Sequence, residues 1–435
     1  MKIQSKFEFG GAAARRGNFV GGGHPTSALP VFEAGDGDAS PCGVRSAMTR
    51  LNDPPGGVYV HIPFCLRKCA YCDFYSVTDL ELKPAFLKAL RAEIAAAEAG
   101  PLAFDTIYFG GGTPSILAPG EIADLIDRLD SRFRFARPVE VTIEANPGTV
   151  DSEKLRGFRA AGVDRINLGV QSFQEENLRM LGRIHSAREA HAALSAARRA
   201  GFENIGLDLM YGLPGQSRES WSADLESALA HGPEHIAAYM LSVEAGTPLA
   251  EDQRLGRFRP ATEEDVADLF VATSEMLSER GFLHYEISNF ARCAEGGSRH
   301  ARISRHNAKY WTYAPYLGFG PAAHSFLPPR RFWNHRDVMR YAADGAAGRR
   351  PLAGEETLTV DQQMLEVILL GLRTSAGIGL ADFRMRFGRD FRDRYGAAAD
   401  ELAARGLLTL ENGRCAPTRQ GMLFLNTVVA ALTGG

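Results

Sequence analysis

The sequence predicts an α/β protein, a partial (βα)6 barrel of the TIM type followed by a small C-terminal helical, winged-helix-like module. Three observations predict it. From Gly57 onward, short β-branched or apolar runs alternate six times with longer segments of helical period. Each run ends in glycine or distinctive polar residues, as strands do when they share one ligand site at their carboxyl ends. After about Thr357 the alternation stops, and helical stretches lead into a short hairpin pattern.

Residues 1–50, with "GGAAARRGNFVGGGHPTSALP", are rich in Gly, Ala, Ser and Pro without an apolar period, and read as a disordered extension. They match neither a signal nor a transit peptide, and Met48 is a candidate start as well as Met1. Residues 51–290 form the barrel. Its strands are "GVYVHI" from Gly57, "TIYFG" from Thr106, "EVTIEAN" from Glu140, "RINLGVQS" from Arg165, "NIGLDLMYG" from Asn204 and "HIAAYMLSV" from His235. Segments such as Ala85–Ala99 and Ala187–Ala200 carry apolar residues at helical spacing between them. Residues 291–356 read as a connecting region and residues 357–435 as the C-terminal domain. There "GLLTLENGRCAPTRQG" places two short strands around Asn412-Gly413, with Cys415 as a buried, apolar-like side chain.

With 435 residues, a net charge of −3 and 23% charged residues, the chain is of enzyme size and carries no bulk signature of nucleic-acid binding. The stretch "RMRFGRDFRDRYG" is basic, but Asp390 and Asp393 interrupt it and no aromatic platform accompanies it. An amphipathic helix that covers the barrel or docks a partner is the expectation there. Six cysteines are too few for a disulfide framework, so a reducing, cytoplasmic setting is expected. No segment has the roughly 18 apolar residues of a membrane span, and Met364–Leu372 suits a buried helix. Peripheral membrane association stays open.

Three of the six cysteines, Cys65, Cys69 and Cys72, fall within "HIPFCLRKCAYCDFYS" after the first strand. Thiolates at Cys-x3-Cys-x2-Cys spacing on one loop suit a compact iron–sulfur cluster, and three ligands leave one iron of a four-iron cubane without a protein ligand. The competing readings are a zinc site completed by His61 or another histidine, and three unconnected core thiols.

This cysteine signature resembles that of the radical S-adenosylmethionine (SAM) superfamily. The resemblance implies a [4Fe–4S] cluster whose open iron is chelated by the amino and carboxylate groups of SAM, and which on reduction can cleave it to a 5′-deoxyadenosyl radical. "YFGGGTPS" then supplies Gly110, Gly111 and Gly112, where missing side chains allow close approach of the main chain, and the resemblance places Gly111, Gly112 and Thr113 at the cofactor. Glu144, Gln171, Arg183 and Asp208, at or beyond later strand ends, resemble the SAM-contacting residues of the coproporphyrinogen-oxidase-like branch. Tyr59 and Tyr71 match aromatic or backbone contacts near the cluster in that branch.

The resemblance runs from about Val58 to the C-terminus. Oxygen-independent coproporphyrinogen III oxidases carry a further cysteine two residues past the third ligand, and Phe74 stands there in this chain. "CDF" instead looks like the HemW-type heme chaperones, as does "HNAKYW", His306 to Trp311, which matches their His-Asn-x-x-Tyr-Trp motif. "HYEISNFAR" and "GFGPAAHSF" are similar to segments of the same family. The link "CAEGGSRHARIS", holding Cys293 and His300, departs from it in length. The resemblance implies a chaperone in porphyrin metabolism that binds heme, the cluster and SAM, and passes heme to an apo-protein, with a respiratory enzyme as one acceptor. His306 is the heme-ligand candidate, because a heme site needs an imidazole beside aromatic surface, and His324 is the reserve. The runner-up is radical decarboxylation of coproporphyrinogen III, against which Phe74 counts.

Overall fold

The computed structural model describes residues 54–98, 100–293 and 302–434. The extension 1–50, with Cys42 and Met48, and His300 lie outside the described residues.

All six expected strands are present: β1 (Gly56–Ile62), β2 (Ala103–Gly111), β3 (Arg134–Ala145), β4 (Arg165–Gln171), β5 (Asn204–Tyr211) and β6 (His235–Met240). They pair in parallel in chain order, which crossover helices permit. Helix starts follow local chemistry. Ser186 and Glu189 form a reciprocal capping box ahead of the helix Ala187–Arg199, and Thr262 with Asp265 does the same for Glu263–Glu279.

The sheet extends beyond the six expected strands. β7 (Phe282–Glu286) and β8 (Asn289–Arg292) form a hairpin against β6, while β9 (Tyr316–Phe319) adds to β1 in parallel. β10 (His324–Leu327), β11 (Arg330–Asn334) and β12 (Leu352–Thr357) continue outward, antiparallel to their neighbours. The connecting region therefore contributes four strands to the sheet, β9 to β12, beside the helices Arg305–Trp311 and Val338–Ala346. The order β12-β11-β10-β9-β1-β2-β3-β4-β5-β6-β8-β7 places the six core strands in the middle.

Side-chain alternation divides this sheet into two faces. Val58, Val60 and Ile62, then Ile166, Leu168 and Val170, then Ile205, Leu207 and Leu209 are buried in the main hydrophobic core with the helices. The intervening residues, among them Thr106, Tyr108, Glu140, Thr142, Glu144, Arg165, Asn167 and Asp208, share the other, polar face. That polar face carries the candidate site.

The C-terminal module has its own core around Met364, Ile368, Phe383, Phe391 and Val428. It contains the expected hairpin, β14 (Leu408–Glu411) with β15 (Arg414–Pro417), and a third strand, β13 (Ile378–Gly379). Asn412 and Gly413 both take left-handed backbone angles, φ 53° and 72°, as a two-residue turn of this kind requires. Cys415 is fully buried and burial pushes its thiol up to about 11. The basic stretch forms two helices, Leu380–Phe387 and Phe391–Ala404. Three of its arginines are paired within the module: Arg389 and Arg394 with Asp361, and Arg392 with Asp400.

Candidate functional site at the carboxyl rim of the barrel

The three-cysteine loop leaves the end of β1 and is closed at its base. Cys65 N donates to Val77 O at 2.9 Å and Val77 N to Pro63 O at 2.7 Å. The far side of the loop is fastened to the segment after β4: Arg67 Nη2 donates to the carbonyls of Gly182 (2.6 Å) and Arg183 (2.8 Å). Leu249 N donates to Ala70 O. Cys72 N turns back to Cys69 O at 3.2 Å, setting the spacing of the last two thiols.

The glycines after β2 have a specific task. A Cβ on Gly112 would lie 2.6 Å from Phe64 O and 3.1 Å from Cys65 Sγ, so only glycine lets the cysteine loop rest on the strand end. Gly112 N and Thr113 N donate to Ile62 O and Phe64 O, at 2.8 and 2.7 Å, and Thr113 Oγ1 reaches Cys65 Sγ at 3.5 Å. Gly111, at φ 117°, directs its N–H to Glu144 Oε2. These amides are thus spent on seating the loop and orienting a carboxylate. They are not a free surface for a ligand, as the glycine run by itself suggested.

Arg183 reaches the same place from beyond β4. Its Nη1 lies 3.3 Å from Cys69 Sγ and its Nη2 2.5 Å from Gly169 O, while the buried Nε has no partner. Tyr71 faces the same guanidinium, and burial raises its phenol well above the ordinary range. Gln171 adopts φ 71°, uncommon for a residue with a side chain, at a register shift in the β4–β5 pairing. A Cβ on Gly169 would sit 3.1 Å from Gln171 Nε2 and 3.5 Å from Arg183 Nη2, so that glycine makes room for both.

Across the barrel, Tyr108 Oη donates to Glu144 Oε1 at 2.8 Å. Burial, then the nearby charge of Asp208, push Glu144 up to about 7, against the hydrogen bond from Tyr108. Burial also raises Asp208, with Asn167 opposing through a hydrogen bond. Cys65, Cys69, Cys72, Tyr71, Gly111, Gly112, Thr113, Glu144, Gln171, Arg183 and Asp208 thus belong to one rim.

Tyr59 and His306 do not belong to that rim. Tyr59 is buried one layer down, with Oη at 3.1 Å from His61 Nδ1. His306, on the helix Arg305–Trp311, fills the barrel floor. Its Nδ1 is 2.8 Å from Thr106 Oγ1, its Nε2 3.0 Å from Tyr310 Oη, and its ring stacks on Tyr108 at 5.0 Å. Burial and the charge of Lys309 hold the imidazole neutral, well below its usual range. In this arrangement both ring nitrogens are occupied, and His306 is a core residue instead of an open iron ligand. His324 is half-buried and stacked on Trp333 at 5.7 Å, with its pKa pushed down to about 4 by burial and Arg331.

Zinc completed by His61 does not fit. His61 Nε2 takes the Tyr75 carbonyl at 3.0 Å and Nδ1 the Tyr59 hydroxyl, so neither nitrogen faces the thiols. Among the described residues, no three His, Cys, Asp or Glu side chains converge on a single-ion position. Three soft donors on a loop seated by glycine, beside a buried cation with a spare N–H, fit a polynuclear cluster and a polar ligand next to it. Tyr108, Asn167, Gly169 and Arg165 were not singled out from the sequence. For the three on β4 the signal was present in the alternation Arg165-x-Asn167-x-Gly169-x-Gln171, polar or glycine at every second position of a strand otherwise apolar.

Known proteins similar to this chain point the same way. The model of the radical SAM superfamily matches residues 59–228 and that of the HemN C-terminal domain residues 358–424. "Heme chaperone HemW" of Mycobacterium tuberculosis is 38% identical over 386 residues, covering 87% of this chain and 95% of its own length. HemW of Bacillus subtilis is 33% identical (86% and 98% covered), and HemW of Escherichia coli 33% (86% and 97%). Among solved structures, coproporphyrinogen III oxidase (HemN) from Escherichia coli superimposes with a TM-score of 0.74 at 23% identity, covering 89% of this chain and 92% of that one, a likeness of fold.

Proposed function

The chain belongs to the HemW family of the radical SAM superfamily, and from that premise we propose that it is a heme chaperone, binding heme, a [4Fe–4S] cluster and SAM, and passing heme to an acceptor protein. The observation that carries this reading is near-full-length similarity to HemW proteins together with a thiol loop built for three, not four, protein ligands.

When bound, the cluster supplies an iron without a protein ligand, at which SAM coordinates, and an electron for that molecule. The protein's own residues do the rest. Cys65, Cys69 and Cys72 provide the thiolates, and the Arg183 cation beside Cys69 offsets their charge. Gly112 holds Cys65 against the sheet. Glu144, Asp208 and Gln171 line the ligand's polar side, with Glu144 oriented by Tyr108 and Gly111. Tyr71 closes the site against Leu181 and Met210, and Tyr59 acts indirectly by orienting His61.

Phe74, half-buried two residues after Cys72, supplies no fourth thiol, so incubation with coproporphyrinogen III, SAM and reductant is expected to yield no protoporphyrinogen. Among the described residues no helix is long and apolar enough to cross a membrane. The acceptor, a respiratory heme protein in this reading, and peripheral membrane contact are tested by pull-down and vesicle flotation. The central experiment is anaerobic purification with iron and sulfide counts, hemin titration, and transfer of bound heme to an apo-protein. Zinc uptake without iron, or a cluster spectrum indifferent to SAM, would defeat the cluster assignment. Absence of hemin binding would defeat the chaperone assignment.

A further inference from the structure

Below the Glu144–Asp208 layer, the polar face of the barrel holds a buried guanidinium with its hydrogen bonds unmade. Arg165 opens β4, is 1% exposed, and none of Nε, Nη1 or Nη2 has a partner. Its register neighbours are Thr142 on β3 and Asn204 on β5, and Thr142 Oγ1 and Asn204 Oδ1 are also without partners. His235 on β6 adds an unpartnered Nδ1, its Nε2 being 2.8 Å from Tyr285 Oη. In the tautomer in which Tyr285 donates to Nε2, Nδ1 carries the proton and is a third donor. Four adjacent strands therefore direct unsatisfied polar groups toward one region.

Gly206 makes room for the Asn167 and Arg165 side chains. A Cβ there would lie 2.2 Å from Asn167 Oδ1 and 3.0 Å from Arg165 Nη2. The charge of Arg165 acts on Glu140, Asp208, Tyr108 and His306, yet no carboxylate lies within ion-pair distance of it among the described residues. A buried guanidinium without a protein partner for its N–H groups is costly, so a fold retains one where something else completes it.

We infer that Arg165, with Thr142 and His235, is the recognition point for a carboxylate carried by the ligand that enters the barrel; on the heme reading above, a propionate arm of the tetrapyrrole. The planar fork of a guanidinium matches a carboxylate bidentately. A phosphate is disfavoured: one arginine faces two acidic residues, Glu140 and Asp208, whose field would repel a second negative charge.

The test compares hemin with its dimethyl ester on the wild-type holoprotein, and hemin on Arg165→Lys and Arg165→Gln proteins checked for cluster content and thermal unfolding. Loss of the charge-assisted pair is expected to weaken binding about tenfold to a hundredfold, for the ester on wild type and for hemin on Arg165→Gln. Equal affinity for hemin and ester on wild type means that interior water alone satisfies Arg165, and overturns the inference while leaving the chaperone reading intact. Failure of wild type to bind hemin removes the chaperone reading and this inference with it. The ester arm needs no variant, so a misfolded Arg165 protein does not protect the idea.

Discussion

His306 shows how a residue's neighbours decide its chemistry. Gly57 has no side chain because a Cβ there would lie 2.9 Å from the His306 ring, and Thr106 and Tyr310 take both nitrogens. His306→Ala is therefore expected to lower stability by about 2–4 kcal/mol, from lost packing and two lost hydrogen bonds, while the hemin spectrum stays unchanged. A changed Soret band at unaltered melting temperature would restore it as an iron ligand. Glu93 gives a second residue-scale outcome. It accepts from Tyr341 Oη (2.6 Å), Gly320 N (2.9 Å) and Asn334 Nδ2 (2.6 Å), yet burial prevails and pushes it up to about 7. The folded protein thus holds this proton more tightly than the unfolded chain does. Stability from this group is present below about pH 4.5 and is lost as pH rises to about 7, on the order of 3 kcal/mol. Glu144, also pushed up to about 7, adds a slope of the same sign. Glu93→Gln should flatten the fall in melting temperature across that window, leaving the part due to Glu144.

At the scale of elements, the cysteine loop depends on the strand end beneath it. Gly112→Ala should displace Phe64 and Cys65, so that the protein folds but retains substantially less iron after anaerobic reconstitution than wild type. Full iron loading in that variant would show that the loop needs no such seat. Strand β4 carries two messages in one pattern. Ile166, Leu168 and Val170 bury against helices, while Arg165, Asn167 and Gln171 face the interior. The apolar half was legible as a strand. The polar half was read only at its end, at Gln171, because nothing in a single sequence says that a strand's second face lines a site instead of facing water.

For the whole molecule, the C-terminal module links the two ends of the open sheet. Arg331 on β11 pairs with Glu366 on the helix Val360–Gly371 at 2.7 Å. At the other end, Ile287 N, just after β7, donates to Arg373 O and Ser375 N to Tyr285 O, each at 3.1 Å. Glu366→Ala leaves Arg331, largely buried, without its main counter-ion and should cost about 3 kcal/mol in urea unfolding, while an apolar replacement of both partners should cost less. Equal costs would show that the pair is not what holds the module to the barrel. Of the arginines of "RMRFGRDFRDRYG", Arg389, Arg392 and Arg394 pair with acidic residues of this module, and Arg386 lies over the Tyr313 ring of the connecting region.

The sequence by itself determined the βα repeat, the hairpin at Asn412-Gly413 and the grouping of Cys65, Cys69 and Cys72 on one loop, because each is written in local spacing: a period of two or 3.6, a turn that needs left-handed residues, three thiols within eight residues. Only the tertiary structure decided that β9–β12 join the barrel sheet, that the glycine amides seat the cysteine loop, that His306 is sealed in the floor, and that Arg165 stands unpaired in the interior. Those outcomes depend on burial and on partners 200 residues away and more, such as Thr106 with His306 and Gly57 with Tyr316. Hydrogen bonding and desolvation act through space, and a chain read in order does not display them.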